Sequence, residues 1–318
     1  MNFEKSILYN VQSKKHLANL LRIDARKLKA VREYFSVEPF VAEINGKKRL
    51  LYNPSYFHKQ LLKRMLLLLY PIGAANYVFG GIKNRDYIMN AEFHKNNKCF
   101  CLIDIKDFFP STSSDFVYRF FRYKMNMSID VAKICTLLTT ASSRETNKLD
   151  YLPQGYPTSP YLSYLCYLEF FEQLNNISVS KNITFSCYYD DLTFSSQHFI
   201  SKGTKRDIIK LIESYQFQVN KDKSRLLKNS NGVKVTGAVI RDHKLLIPNS
   251  MHLKLYKTYD KLLNDFYLSS FDQTNIVNMC DAVDGILASI SRVESIENIK
   301  HIKNKVRIIR EISNAITS

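Results

Sequence analysis

Two adjacent acids, Asp190-Asp191, sit between runs that alternate as strands do: Ile-Thr-Phe-Ser-Cys over 183–187 and Leu-Thr-Phe-Ser-Ser over 192–196. That pattern reads as a β-hairpin with two carboxylates at its tip. A plain hairpin turn favours Asn-Gly or Asp-Gly, because glycine adopts positive φ without a Cβ penalty. Side-by-side carboxylates repel each other, so the pair calls for a cation. Hard oxygen donors suit Mg²⁺, which is commonly held by one or two carboxylates together with substrate phosphates. Taken alone, the pair is equally compatible with an ordinary exposed turn.

A second acid lies upstream. Cys99-Phe100-Cys101-Leu102-Ile103-Asp104-Ile105 is an apolar run without alternation, the mark of a strand covered on both faces. An acid at the exit of such a strand is costly unless it is solvated, paired or metal-bound. Asp104 is therefore expected beside Asp190 and Asp191 on neighbouring strands. Three carboxylates of that kind suit two Mg²⁺ ions and in-line displacement at phosphorus. Between the acids lies Leu152-Pro153-Gln154-Gly155-Tyr156-Pro157-Thr158-Ser159-Pro160, a loop leading into a helical pattern. Free N–H groups at such a helix start favour phosphates and other polar ligands.

In this order, the acid strand, the Gln-Gly loop and the Asp-Asp hairpin resemble motifs A (103–111), B (152–160) and C (188–191) of the reverse transcriptases. Asn90-Ala91-Glu92-Phe93-His94 and Val235-Thr236-Gly237 are similar to the two signatures of bacterial retron reverse transcriptases. The resemblance covers roughly residues 45–250 well. It implies an α+β, right-hand polymerase fold with fingers, an antiparallel-sheet palm and a helical thumb. The expected divisions are a basic helical extension over 1–38, fingers and palm over 39–247, and an RNA-binding thumb over 248–318.

The resemblance also implies roles. Asp104, Asp190 and Asp191 would be catalytic and bind two Mg²⁺ ions. Arg49, on a hairpin signalled by Asn45-Gly46, would bind the triphosphate with Lys47 or Lys48. Asp107, Gln154 and Gly155 would line the dNTP site, and Phe109 would be the aromatic that rejects a ribose 2′-OH. Lys223 would donate a proton to pyrophosphate, with Lys221 a close rival. Asn90 and His94 would touch RNA, although His94 fits a core hydrogen bond as well. Tyr189 departs from the family, where a small residue usually stands between Tyr and Asp, and should lie near the dNTP sugar. Family membership further implies a cognate noncoding RNA, priming from a guanosine 2′-OH, branched multicopy single-stranded DNA as product, and a part in anti-phage defence with an effector protein. No RNase H carboxylate set is evident, so host RNase H would remove template.

Composition agrees. Lys plus Arg number 46 against 29 Asp plus Glu, a net charge of +17 that suits a polyanion. The six cysteines lack paired spacing, which reads as free thiols of a reducing cytoplasm. The greasiest stretch, Met65–Leu69, is too short to span a bilayer. Residues 13–35 read as two short amphipathic helices, either a basic extension packed on the fingers or a helix-turn-helix. The other readings are a group II intron-like reverse transcriptase, which usually carries a longer C-terminal region, and a noncatalytic RNA-binding scaffold.

Overall fold

The computed structural model describes residues 1–44, 46–142, 150–268 and 272–315. In chain order the helices are α1 (Lys14–Leu21), α2 (Val31–Tyr34), α3 (Tyr56–Leu69), α4 (Tyr87–Glu92), α5 (Ser114–Arg119), α6 (Ile129–Thr139), α7 (Ser159–Cys166), α8 (Leu168–Ser180), α9 (Lys202–Ser214), α10 (Asn249–Leu268), α11 (Gln273–Ser291) and α12 (Lys300–Ala315). The strands are β1 (Pro39–Ile44), β2 (Lys47–Tyr52), β3 (Cys99–Lys106), β4 (Thr184–Tyr188), β5 (Asp191–Ser196), β6 (Gln218–Val219), β7 (Arg225–Lys228), β8 (Val233–Val235), β9 (Ala238–Arg241) and β10 (Lys244–Leu246). This mixture of helices and antiparallel strands is that of the expected right-hand polymerase class. Serine decides several helix starts: Ser13, Ser55, Ser128 and Ser201 each accept the N–H three residues on, satisfying a donor that has no partner within the helix.

The chain forms two compact units, Met1–Asp86 with Cys101–Leu226, and Tyr87–Phe100 with Leu227–Ser318. In the first, a sheet runs in the order β4-β5-β3-β6. β4 and β5 form the expected hairpin, but Tyr188 lies opposite Asp191, so the two-residue turn is Tyr189-Asp190 and Asp191 opens β5 instead of sharing the tip. β1 and β2 form the expected hairpin, Ala42 opposite Arg49; Asn45 of its turn lies outside the described residues. Below the sheet, buried Phe108 meets Phe171 and Phe217 at ring distances of 6.1 and 5.4 Å. Apolar burial of this kind contributes about 25 cal/mol per Å².

Three local expectations need correction. Residues 13–35 yield an eight-residue α1 but only a four-residue α2, so there is no second helix long enough to read a groove. The helix expected over Asp115–Tyr123 is α-helical to Arg119 and continues as a π turn over Phe120–Lys124. The helix expected to run to 217 ends at Ser214, because Gln216 turns left-handed (φ 64°) and Phe217 enters the core.

In the second unit α10, α11 and α12 bury one apolar stripe each, Leu255 and Leu262 meeting Ile276, Val283 and Ile290 and, from α12, Ile302, Val306 and Ile309. Arg310 reaches Asp281 at 2.5 Å and Asp284 at 2.6 Å on the neighbouring helix. The same unit holds the antiparallel sheet β10-β9-β8. No helix among the described residues is long and apolar enough to cross a membrane. The six cysteines are free.

Candidate polymerase active site

β3 and β5 are neighbours in the sheet, and the Ile105 N–H donates to the Asp190 carbonyl at 2.9 Å. This pairing brings Asp104 to the tip of the Asp190-Asp191 hairpin. Asp104 is buried, whereas Asp190 and Asp191 are half-buried. Burial, then the charges of Asp190 and Asp104, pushes the Asp191 carboxyl up to about 7. Burial and Asp104 also raise Asp190. Arg49 acts in the opposite direction on both, so the hairpin carrying it lies within electrostatic reach of the acids.

Lys223 forms an ion pair with Asp104 Oδ1. Burial works against its ammonium, but Asp104, Asp191 and Asp190 outweigh that and raise its pKa. Of the two candidate lysines, Lys223 is the one that meets the acids. Asn220, which the sequence did not single out, donates from Nδ2 to Asp104 Oδ1 at 3.2 Å and from its backbone N–H to the Asp104 carbonyl at 2.8 Å.

Among the described residues no group of three or more His, Cys, Asp or Glu side chains is arranged as a metal-holding cluster. Asp104 is engaged by Lys223 and Asn220, and the acids stand as separate donors. Their chemistry nevertheless fits a hard divalent cation: all donors are carboxylate oxygens, and two of the carboxyls are pushed upward by burial and by the neighbouring carboxylates, a burden a cation would relieve.

Tyr189 adopts the left-handed conformation (φ 58°), costly for a bulky residue. The close approach is made possible by Gly80 and Gly81. A Cβ on Gly80 would lie 2.5 Å from the Tyr189 nitrogen, and one on Gly81 would lie 3.2 Å from the Tyr189 ring. Gly80 is held there because the Phe79 N–H donates to the Cys187 carbonyl at 2.9 Å, which runs Tyr77–Phe79 along β4. Tyr189 in turn meets Phe109 edge-on at 5.8 Å. Phe109 is half-buried while Phe108 is in the core, so the two neighbouring rings have separate surroundings.

The Gln154-Gly155 loop is fixed to β2. The Tyr52 N–H donates to the Gln154 carbonyl at 2.8 Å, and a Cβ on Gly155 (φ 115°) would lie 2.1 Å from the Tyr52 carbonyl oxygen. Gln154 is half-buried, and Asp107 is exposed with φ 49°.

Asn90 and His94 lie in the second unit, both with 0% exposure. Asn90 Nδ2 donates to Thr236 Oγ1 at 3.1 Å, and Thr236 Oγ1 donates to the Tyr87 carbonyl at 3.1 Å. Thr236 and Gly237 are the two turn residues between β8 and β9, both at positive φ. The two short signatures therefore pack on each other in the interior, and contact of Asn90 or His94 with RNA would require them to leave it. Burial drives the His94 imidazole down to about 3, leaving it neutral.

The family model described as "Reverse transcriptase (RNA-dependent DNA polymerase)" matches residues 39–240. The Retron Ec73 reverse transcriptase of Escherichia coli is 30% identical over 232 residues, 68% of this chain and 72% of that protein. The Retron Se72 reverse transcriptase of Salmonella heidelberg is 28% identical over 205 residues, 62% of this chain and 52% of that protein. The chain spans about half the length of the Se72 relative and of the Retron Mx65 reverse transcriptase of Myxococcus xanthus. Among solved structures, a foamy viral protease-reverse transcriptase aligns over 87% of this chain and 44% of its own, at 17% identity and a TM-score of 0.44. The match from 39 to 240 takes in the hairpin, the Gln-Gly loop and every acid of the site, and with the Ec73 likeness it shows that the chain belongs to the reverse transcriptase family, among the retron reverse transcriptases.

Proposed function

We propose that this protein is an RNA-directed DNA polymerase that copies part of its own structured noncoding RNA. The observation that carries this reading is the meeting of Asp104 with Asp190-Asp191 on adjacent strands, beside Lys223 and within reach of Arg49. Asp104, Asp190 and Asp191 would hold two Mg²⁺ ions. Bound there, such ions would supply a deprotonated attacking hydroxyl and neutralise the leaving pyrophosphate.

The chain's own residues account for the rest. Arg49 presents a planar fork of donors suited to a triphosphate. Gln154, held by Tyr52, faces the incoming nucleotide while Gly155 keeps its backbone close. Phe109, braced by Tyr189, contacts the sugar and disfavours a 2′-OH. Lys223 is positioned to give its proton to pyrophosphate once it parts from Asp104. Asp107 helps to orient the triphosphate.

The retron likeness supports the finer reading: priming from a guanosine 2′-OH, a branched multicopy single-stranded DNA product, host RNase H removing the template, and a cytoplasmic defence system in which an effector protein is held in check. Co-expression with the noncoding RNA of the same locus tests it, followed by debranching and sequencing of small nucleic acids. Branched RNA–DNA that disappears in the Asp190→Asn, Asp191→Asn double variant is expected. DNA formed equally by both proteins contradicts the carboxylate assignment. RNA that copurifies without any DNA favours the noncatalytic scaffold.

A further inference from the structure

We propose that the cleft between α1 and α3, apart from the carboxylate site, binds an unpaired segment of RNA. The choice of RNA rests on the template and partner proposed above.

The cleft has a volume of about 290 Å³ and is lined from α3 by Phe57, Gln60, Lys63 and Leu67, and from the end of α1 by Leu21 and Arg22. Positions 57, 60, 64 and 67 recur at helical spacing, so one face of α3 looks into it while Leu62, Met65 and Leu69 fill the core behind. Arg64 fixes the two helices together by donating from Nε to the Leu20 carbonyl at 2.5 Å. Arg22 caps α1 in a left-handed conformation (φ 56°) and lines the cleft.

Two features distinguish this face from an ordinary solvated one. Neither α1 nor α3 contains an Asp or Glu, and the cleft is lined by three cations, Arg22, Lys63 and Arg64, and no acid. Large apolar groups are exposed among those cations: Phe57 at 45% and Leu67 at 59%. The Lys27 ammonium already lies 4.6 Å from the Phe57 ring centre, so aromatic and cationic groups are interleaved here. Single-stranded nucleic acid matches that mixture, offering base faces to aromatic and apolar groups and phosphates to cations. Gln60 adds an amide able to pair with a base edge.

The test is photo-crosslinking of the full chain to a 4-thiouridine RNA of about twelve nucleotides, at about 0.15 M salt, with adducts mapped by mass spectrometry. A DNA oligomer of the same sequence forms a second arm, and extension of a short annealed DNA primer on an RNA template is measured in parallel. Adducts are expected within residues 21–67. They should fall about tenfold in the Arg22→Glu, Lys63→Glu double variant, and the salt dependence of binding should flatten by about 1.4 for two lost phosphate contacts. Arg22→Ala with Lys63→Ala is the milder pair should the charge reversals fail to fold. Primer extension should be unchanged in either pair. Adducts absent from 21–67, surviving both double variants, or stronger with DNA would overturn the proposal. Mapped adducts without primer extension by the wild type would uphold the cleft and reject the polymerase reading.

Discussion

Gly155→Ala is the substitution whose consequence follows most directly from the geometry. The added Cβ would lie 2.1 Å from the Tyr52 carbonyl oxygen, a backbone atom that cannot rotate away. The residue also sits at φ 115°, where a side chain is strained by about 1–3 kcal/mol. Relief requires the loop to leave β2, which breaks the bond from the Tyr52 N–H to the Gln154 carbonyl and costs about another 1 kcal/mol. The expected loss is therefore about 2–4 kcal/mol of stability. In urea, with a slope of about 3 kcal/mol per M, a loss of 3 kcal/mol lowers the midpoint by about 1 M. Protein that remains folded should show a raised KM for dNTP, because Gln154 moves with the loop. A variant with the wild-type midpoint and wild-type KM would refute the claim that the loop is clamped against β2.

Other perturbations test other parts of the structure. Tyr189→Ala should leave a folded, active enzyme that incorporates ribonucleotides more readily, by up to about tenfold, as the edge contact with Phe109 is worth about 0.5–1.5 kcal/mol; loss of folding or unchanged sugar discrimination would count against it. Thr236→Val should destabilise the second unit by about 1–3 kcal/mol through two lost hydrogen bonds, with Thr236→Ser close to wild type, as read by thermal unfolding. The neutral, buried His94 sets a pH dependence. Its folded pKa of about 3 lies below the 6.5 of a solvated imidazole, so only the unfolded chain takes up this proton as the pH falls below 6.5. Stability should therefore decline from pH 6.5 downward, by about 1 kcal/mol over the first pH unit and with a slope approaching about 1.4 kcal/mol per unit below that. A His94→Gln variant should have a shallower dependence there, and equal slopes would sink the assignment.

The hairpins were legible because alternation and turn residues are local signals: the strands of 183–196 and 39–52 pair as read, although the first turns at Tyr189-Asp190, one residue before the Asp-Asp pair. The meeting of Asp104 with the Asp-Asp tip was legible from an acid ending an apolar run. Asn220 was not, since its contact depends on β6, a two-residue strand too short to show a period, lying beside β3. Gly80-Gly81 reads as a turn in any sequence, but its role as the space for Tyr189 appears only when Tyr77–Phe79 lies along β4. The sheet β8–β10 was missed for the same reason of length. Asn90 and Thr236 are far apart in sequence, so their hydrogen bond, which joins the two short signatures, is a tertiary fact.

The central claim is that Asp104, Asp190 and Asp191 carry RNA-templated DNA synthesis. The most direct measurement is extension of a DNA primer on an RNA template by the purified chain with Mg²⁺ and dNTPs, beside Asp190→Asn and Asp104→Asn variants whose folding is verified by circular dichroism. The account predicts extension by the wild type alone. Extension that persists in a folded Asp190→Asn protein would contradict it.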